Sequence, residues 1–544
     1  MKTRCDIASR FFIYLFTILF LVICLDKYFE AIISLNKNIN GFIWITIGIP
    51  LLLFAGVLIT CALKGFQITH FRHIFKNTIG KLFSKKKSMY TVDNSSISQF
   101  QALCTTLAAT IGVGNITGVS SAILTGGPGA VLWMWVAAFL GMITTYAENV
   151  LGIYFRTKNS SSEWSGGAMF YLHNGVGKIK GFKKFGKILA ILFSLFTVLS
   201  SFGIGNMSQI NTITNNITTA FEIDKLTNTI ISIGTYNLDL YTAITGLLLM
   251  IVIGIIISGG LKKIVTVTEK IVPFMVILFT LGSIIVIIIN YKNIFKAFAL
   301  IFTCAFNEKS IFGGVTGISI KFVIEQGFKR GMFTNEAGMG SSVMINSNSN
   351  VIEPARQGMW GIIEVFIDTI IMCTLTALVV LTSGVINLEN GTAVTNNPAI
   401  LVAKAFNTAF DFNIGFGEIF IAISTLLFAF STVLGWSHYG SKAIEYLTDN
   451  NKKFIDIYKS VFIIAIFIGA VSDNTIIWDI SDTFNGLMMI PNLIGVLILL
   501  PLVIRITNNY TDRHIKKINN ITPLLSYDTD IQNEQHAKLE IDGD

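Results

Sequence analysis

Three glycines, an asparagine and a threonine interrupt the hydrophobic stretch from Phe100 to Leu124, in the segment GVGNITG at 112–118. The stretch is long enough to cross a bilayer, which takes about 20 apolar residues. Glycine weakens a helix, and an asparagine in hydrocarbon needs hydrogen-bond partners. A helix broken at mid-membrane is tolerated where its backbone lines a cavity or is buried in protein. Free amides at such a break suit a carboxylate, and free carbonyls suit a cation.

A second interrupted segment, GMFTNEAGMG at 331–340, lies about 220 residues further on. Two interrupted segments in corresponding halves of a chain are typical of the binding site of a secondary transporter. We therefore expect Asn335 to lie at the site, and Arg330 and Glu336 to form a gate or a coupling element. Helix packing through small residues is the alternative for the glycines, but it does not require Asn115 at the bilayer centre.

Four further residues within apolar spans have polar or bulky side chains. Gln209 can both donate and accept hydrogen bonds, which suits a zwitterion, although interhelical hydrogen bonding would use the same groups. The adjacent hydroxyls of Ser431 and Thr432 offer hard oxygen ligands to sodium, although back-bonding to the previous turn is the commoner role of such a pair. Trp436 is large enough to limit the size of a substrate nearby.

Carboxylates inside spans are candidates for a gate or for coupling, because a charge in the membrane is costly. Glu148 and Asp368 are of this kind, and Glu364 is another. An offset of about 220 residues superposes Glu148 on Asp368, as two repeated halves would.

Composition indicates a polytopic membrane protein. The chain is 52% hydrophobic and 13% charged, with a mean hydropathy of +0.66, whereas soluble domains carry about 25% charged residues. The net charge of +8 resides in short loops, where it directs topology, so we expect no nucleic-acid partner. The six cysteines have no metal-site or disulfide spacing, and no phosphate loop occurs. We expect neither enzymatic activity nor a cofactor.

The hydrophobic pattern predicts about eleven spans within a transporter core at 40–506, namely 41–63, 99–125, 128–155, 187–217, 239–260, 266–290, 312–343, 356–384, 414–446, 455–472 and 478–504. Linkers 64–98 and 156–186 are rich in Lys and Arg, which predicts that they and the C-terminus are cytoplasmic and that the protein is multi-pass in the cell inner (plasma) membrane. Residues 1–39 form an extension, either a signal peptide or a signal anchor. Residues 507–544 are polar and predict a disordered cytoplasmic tail.

Seven segments together resemble the alanine/glycine:cation symporter family. They are GVGNITGV (112–119), GGPGAVLWMWV (126–136), GGAMFY (166–171), RGMFTNEAGMGS (330–341), FIDT (366–369), FAFSTVLGW (428–436) and WDISDTFNGLM (478–488). The resemblance implies an all-α, LeuT-like five-plus-five inverted repeat with one extra helix in front, at 41–63. It also implies uptake of alanine, glycine or a similar small amino acid, coupled to sodium or less often to protons.

The same resemblance implies a sodium site shared by the first broken helix and the eighth core helix. Its ligands would be the carbonyls of Ala108, Ile111 and Phe428 and the side chains of Ser431 and Thr432. A second cation, if present, would use Thr110 and Asn115.

The substrate would contact a set of residues that share the two breaks and their neighbours: Gly112, Val113, Gly114, Asn115, Gln209, Asn335 and Trp436. Many family members carry threonine where this chain has Val113, so only the backbone can act there. We expect a monomer in the lipid bilayer that imports alanine or glycine with sodium. The alternatives are proton coupling, glutamine or serine as substrate, and a non-coupled channel or sensor of the same fold.

Overall fold

The computed structural model describes residues 29–82, 96–159, 163–221, 230–233, 236–307, 319–387, 392–410, 415–472 and 474–542. Its helices are α1 Phe29–Gly41, α2 Ile49–Ala62, α3 Phe66–Thr69, α4 Phe71–Asn77, α5 Ile79–Leu82, α6 Gln99–Thr110, α7 Thr117–Gly126, α8 Gly129–Tyr154, α9 Ala168–Asn174, α10 Lys183–Phe202, α11 Ser208–Phe221, α12 Leu240–Ile257, α13 Gly260–Ile289, α14 Ile294–Phe306, α15 Ile320–Asn335, α16 Val343–Asn346, α17 Pro354–Val365, α18 Thr374–Thr382, α19 Pro398–Asn407, α20 Phe416–Leu447, α21 Lys452–Val471, α22 Asn474–Ile498, α23 Leu500–His514 and α24 Thr529–Asp542. Residues 1–28, most of the expected N-terminal extension, lie outside the described residues.

Short segments connect or decorate these helices. The π-helical stretches Phe42–Gly48, Gly203–Met207 and Phe366–Cys373 join α1 to α2, α10 to α11 and α17 to α18. The 3₁₀ turns are Val113–Asn115, Val176–Lys178 and Tyr291–Asn293. Two antiparallel hairpins pair β1 Thr157–Lys158 with β2 Trp164–Ser165, and β3 Ile230–Ile233 with β4 Tyr236–Asp239.

Within the described ranges, eight helices are long and apolar enough to cross a membrane, and a ninth segment, Ile480–Ile498 with Leu500–His514, is bent by 61°. The interrupted segments 99–126 and 320–346 are not single long helices, because each breaks in its middle. Taken with these two, the helical segments correspond one to one to the eleven predicted spans.

The core helices form two series of five, and each series begins with an interrupted helix. The first series consists of α6 with α7, α8, α10 with α11, α12 and α13. The second consists of α15 with α16, α17 with α18, α20, α21 and α22. Because five is an odd number of crossings, the second series starts on the opposite side of the membrane and is inverted. This order confirms the predicted all-α, five-plus-five fold. The extra helix in front packs on the core through Trp44, whose indole donates to the carbonyl of Asp482 at 2.9 Å.

The first break follows from local geometry. Ser98 and Gln101 form a capping box that starts α6. The helix ends at Thr110, because the next residue is extended (φ −73°, ψ 91°). The side chain of Asn115 then turns back and accepts a hydrogen bond from the amide of Gly112 at 3.0 Å, which holds the unwound segment in place.

The second break begins later than the sequence predicts. Residues 331–335 are helical, and the chain leaves the helix at Glu336, which has a left-handed φ of +54°. A Cβ on Gly331 would lie 3.3 Å from the backbone of Met134, so this glycine serves the packing of α15 on α8. Gly338 and Gly340, with φ of +82° and +71°, make the actual turn.

The C-terminal segment is ordered in the structure, contrary to the disorder expected for 507–544. Helix α23 extends to His514, and α24 covers Thr529–Asp542. Leu525 is fully buried and clusters with Leu539 and Ile352. In α24 the less exposed residues Ile531, Gln535 and Leu539 recur every four positions, but one of them is polar, so the sequence shows little apolar periodicity.

Candidate cation and substrate site

Five oxygen atoms from α6, its unwound end and α20 lie together in the buried centre of the bundle. The hydroxyl of Ser431 donates to the carbonyls of Ala108 (3.3 Å) and Phe428 (2.8 Å). The hydroxyl of Thr432 lies 3.1 Å from the same Ala108 oxygen, 3.1 Å from the Phe428 oxygen and 3.5 Å from the Ile111 oxygen. The structure therefore brings together all five residues of the expected sodium site.

The break releases two of these carbonyls from helical hydrogen bonds. In a continuous helix, the amides of Gly112 and Asn115 would bond to the oxygens of Ala108 and Ile111. Here the Gly112 amide bonds to the Asn115 side chain, and the Asn115 amide bonds to the Gly112 oxygen at 3.2 Å. Neutral oxygens in such a set suit a hard monovalent cation, because they offer coordination without the charge that a divalent ion needs.

The remaining candidate cation ligand, Thr110, bonds within its own helix. Its hydroxyl donates to the Thr106 carbonyl at 3.2 Å. Asn115, proposed with it for a second cation, donates to the Asp368 carboxylate at 2.8 Å and to the Asp368 carbonyl at 3.1 Å. The structure does not bring Thr110 and Asn115 together through a shared hydrogen bond among the described residues.

Two amides at the first break, those of Gly112 and Val113, are paired rather than free. Asn115 holds the Gly112 amide, and the side-chain oxygen of Gln209 accepts from the Val113 amide at 3.2 Å. The side-chain nitrogen of Gln209 donates to the Ile204 carbonyl at 3.0 Å. A carboxylate at these amides must therefore replace a side-chain oxygen, and Gln209 lies on a different helix from the break.

Close approaches explain why glycine is needed at the break. A Cβ on Gly112 would lie 2.7 Å from the Thr432 hydroxyl and 3.2 Å from the Gln209 oxygen. A Cβ on Gly114 would lie 2.9 Å from the Thr334 methyl group, on the second interrupted helix. The first break is thus held between α20, α11 and α15. Val113 turns its side chain into an apolar cluster, so only its backbone faces the site, as expected.

Asn335 stabilises the second break. Its nitrogen donates to the Thr369 hydroxyl at 3.0 Å, and its oxygen accepts from the Ala337 amide at 2.9 Å. Both ends of this side chain are therefore occupied by the protein itself, and its contact with a substrate stays a prediction.

Glu336 joins the second break to α20. Its carboxylate accepts from the Trp436 indole at 2.7 Å and from the Ser341 hydroxyl at 2.5 Å. Trp436 is fully buried one turn beyond Thr432, and a Cβ on Gly205 would overlap its side chain. Trp436 thus has a bonding role besides the wall role predicted from its size.

Four buried carboxylates surround the second break. Asp368 bonds to Asn115 and accepts from Thr369 at 2.8 Å. The remaining three are Glu148, bonded by Asn492, then Glu336, and Glu364, which accepts from Asn346 at 3.4 Å. Across the described ranges, none of the four lies within ion-pair distance of a basic side chain. Because a buried charge without a partner is costly, these groups are candidates for protonation.

Arg330 lies where α15 meets the start of α22. Its guanidinium is 6.0 Å from the ring of Trp478, which also stacks on Phe333 at 5.0 Å. The adjacent Lys329 forms a 2.8 Å ion pair with Asp482. Sequence reasoning missed this pair, although charged residues at 329 and 482 inside predicted spans were the signal that could have found it.

A polytopic bundle with two opposed helix breaks and a shared oxygen site defines a secondary transporter. The model of the Sodium:alanine symporter family matches residues 29–522. The chain therefore belongs to this family, which confirms the resemblance noted from its motifs.

Three relatives illustrate the family. The "Sodium/alanine symporter AgcS" of Methanococcus maripaludis is 38% identical over 88% of this chain and 97% of its own length. The "Probable sodium/glutamine symporter GlnT" of Bacillus subtilis is 32% identical over 87% and 89%. The "Amino-acid carrier protein AlsT" of the same organism is 30% identical over 94% and 100%. The protein is thus a multi-pass membrane transporter of the amino-acid:cation symport class rather than an enzyme, with a small amino acid as its substrate.

Removing the two hydroxyls of the oxygen cluster should weaken cation binding with little change in bulk. We expect the Ser431→Ala, Thr432→Val variant to raise the sodium concentration for half-maximal alanine uptake by at least tenfold, because a hydrogen bond or ligand to a charge contributes about 1.5–3 kcal/mol. Ser437→Ala is the matched control, since the Ser437 hydroxyl donates to the Leu434 carbonyl of its own helix at 2.7 Å. An unchanged sodium dependence in the double variant would place the coupling cation elsewhere.

Proposed function

We propose that the protein imports a small neutral amino acid, alanine or glycine, together with sodium, by alternating access around the two helix breaks. The observation that carries this proposal is the cluster of five oxygens that α6 and α20 share. Neither helix holds a complete coordination shell alone. A cation bound there would therefore stabilise one relative position of the two helices and bias which side is open.

The cation would also prepare the substrate site. Ile111 and Gly112 are adjacent, so fixing the Ile111 carbonyl orients the amides of Gly112 and Val113. The substrate carboxylate would displace the Gln209 oxygen from the Val113 amide, 3.2 Å away in the structure. The freed Gln209 side chain and the second break, near Asn335, would then orient the substrate's amino group.

Proton coupling is the second candidate, and a specific observation favours it. The four carboxylates Glu148, Glu336, Glu364 and Asp368 are buried and lack a basic partner among the described residues. Asp368 contacts the first break through Asn115, so its protonation would reach the substrate site directly. Glutamine or serine stays open as substrate, because the relative GlnT is named as a probable sodium/glutamine symporter and an apolar pocket rejects an added hydroxyl only weakly.

We also propose that the protein is a monomer in the plasma membrane with its C-terminus in the cytoplasm. Basic residues collect at the end of the bundle where residues 500–542 lie. There Lys158 pairs with Glu534, Lys178 contacts Tyr527, and Arg513 pairs with Glu353. An excess of Lys and Arg in short loops is typical of the cytoplasmic side.

Labelled alanine uptake into proteoliposomes tests the proposal. An inward sodium gradient should drive accumulation above the external concentration, and an equal potassium gradient should not. An inward proton gradient without sodium separates the second candidate, and uptake in that condition alone would favour it. Failure of any small neutral amino acid to accumulate under either gradient would contradict symport and favour a channel or sensor.

Trp436 should limit substrate size, and two variants separate its size from its hydrogen bond. Trp436→Leu should admit larger neutral amino acids and weaken alanine binding several-fold, because it opens space in a fully buried position. Trp436→Phe should keep the restriction on size while losing the bond to Glu336. Competition of unlabelled amino acids against labelled alanine measures both. An unchanged range of competitors in Trp436→Leu would show that Trp436 is not a wall of the site.

A further inference from the structure

Residues 522–542 fold back onto the transporter core, although the family match ends at residue 522. We name this segment the strap. It contains α24 and the turn before it, and it contacts the end of α8, the loop after α9 and the loop that follows the second break. Apart from Thr522, the strap therefore lies beyond the residues that the family model matches.

Tyr527 fixes the first contact. Its amide donates to the Tyr154 carbonyl at the end of α8, at 3.1 Å. Its ring packs on Phe155 with 5.1 Å between centroids, and the Lys178 ammonium lies 4.4 Å from the same ring. Its hydroxyl accepts from Asn174 at 3.3 Å. One residue of the strap is thus held by backbone, aromatic and cationic partners at once.

Apolar burial and an ion pair fix the second contact. Leu525 is completely buried and clusters with Leu539 and Ile352, apart from the main core. Lys158, in the first hairpin, pairs with Glu534 of the strap at 2.9 Å. The ion pair is partly exposed and contributes little, so Leu525 and Tyr527 are the main anchors.

The turn at the start of the strap is held by side chains of the C-terminal segment itself. Gln532 accepts from the amides of Leu525 (2.8 Å) and Ser526 (2.9 Å) and donates to the Pro523 carbonyl (2.7 Å). Asn509 of α23 donates to the Thr522 carbonyl at 2.8 Å. Asn509 also accepts from the Leu524 amide at 3.3 Å, so two side chains hold residues 522–526 in the shape that presents Leu525 to the core.

The strap contacts the loop between α16 and α17, which follows the second break and also pairs with the residue just before α6. Residues 347–351 of this loop are buried or nearly so, and Arg156 donates to the carbonyls of Ser347, Ser349 and Val351 at 3.1, 2.7 and 2.7 Å. Ile97, just before α6, pairs with the same loop in a β-bridge to Ser349. This end of the bundle is therefore closed in the structure.

Glu353, next in this loop, anchors the helix that leads into the strap. It pairs with Arg513 at 2.5 Å and with His514 at 2.7 Å. Burial raises the pKa of Glu353, but the hydrogen bond from His514 and the charges of Arg356 and Arg513 lower this pKa by more, so it lies below its ordinary value. Glu353 therefore stays ionised at neutral pH and keeps α23 attached.

We propose that the strap holds this end of the transporter closed and that its release speeds the step in which this end opens. The reason is geometric: the end of α8 and the loop after the second break come together at this end, and the strap contacts both of them. Opening of this end would separate these contacts. The proposal rests on the proposed transport function only for its uptake readout.

A reversible cross-link tests the strap in the full chain. Lys158→Cys with Glu534→Cys, in a Cys61→Ser background, replaces the ion pair by two thiols, and Cys61 is the exposed cysteine among the described ones. A reducible bis-methanethiosulfonate reagent should lower sodium-driven alanine uptake at least fivefold, and reduction should restore it. Each single-cysteine variant controls for reaction elsewhere. Unchanged uptake in the cross-linked protein would overturn the proposal.

Releasing the strap should have the opposite effect. Leu525→Asp removes the buried anchor, and we expect initial uptake to rise at least twofold. Ile518→Asp makes the same chemical change at a tail position that is 48% exposed, and should leave uptake unchanged. Equal uptake rates in the two variants would contradict the proposal that the strap slows the opening of this end.

A readout without transport separates this proposal from the proposed function. A Ser349→Cys probe is buried when this end is closed, so its reaction with a maleimide in detergent should be several-fold faster in Leu525→Asp than in Ile518→Asp. If no variant accumulates any amino acid but this labelling difference is found, the result contradicts symport and supports the proposed role of the strap. Equal labelling rates would overturn the strap whatever the result for uptake.

Discussion

The break in the first core helix leaves two buried carbonyl oxygens, those of Ala108 and Ile111, without their helical donors. A buried carbonyl without a partner costs about 1–3 kcal/mol, so something must bind each of them. The hydroxyls of Ser431 and Thr432 do so across the helix interface. Much of the centre of the molecule follows from this need, because it fixes how closely α20 must approach α6.

Glycine makes that approach sterically possible. A Cβ on Gly435 would lie 2.6 Å from the Cβ of Ala109, and a Cβ on Gly112 would lie 2.7 Å from the Thr432 hydroxyl. Trp436 then extends the same helix face towards Glu336 and the second break. Helix α20 therefore contacts both interrupted helices, the first through Ser431 and Thr432 and the second through Trp436. Asn115 links the first break to Asp368 as well. These contacts give a physical route for coupling between a cation and a substrate.

Sequence reasoning located both breaks because glycine weakens a helix and asparagine is costly in hydrocarbon, so the two together inside a hydrophobic span indicate an interruption. It did not by itself distinguish Ser431 and Thr432 as ligands from a back-bonded pair; the resemblance supplied Ala108, Ile111 and Phe428, and the structure brings all five together. Gly331 was assigned to the wrong feature, since a glycine for helix packing and one for a turn look alike in a sequence. The Gly112 amide is paired locally with Asn115, but the pairing of the Val113 amide depends on Gln209, 96 positions away from Val113, so no local pattern reveals it. The ordered strap was missed because its anchors, Leu525 and Tyr527, are single residues without a period.

One cation held between α6 and α20 should tighten binding of the amino acid. Equilibrium binding of labelled alanine to the purified protein over a series of sodium concentrations, and of radioactive sodium with and without alanine, tests it directly. Linkage requires the two affinities to change by the same factor. We predict a common factor of tenfold or more that falls towards one in the Ser431→Ala, Thr432→Val variant. Alanine binding of equal affinity in sodium and in choline would contradict this coupling.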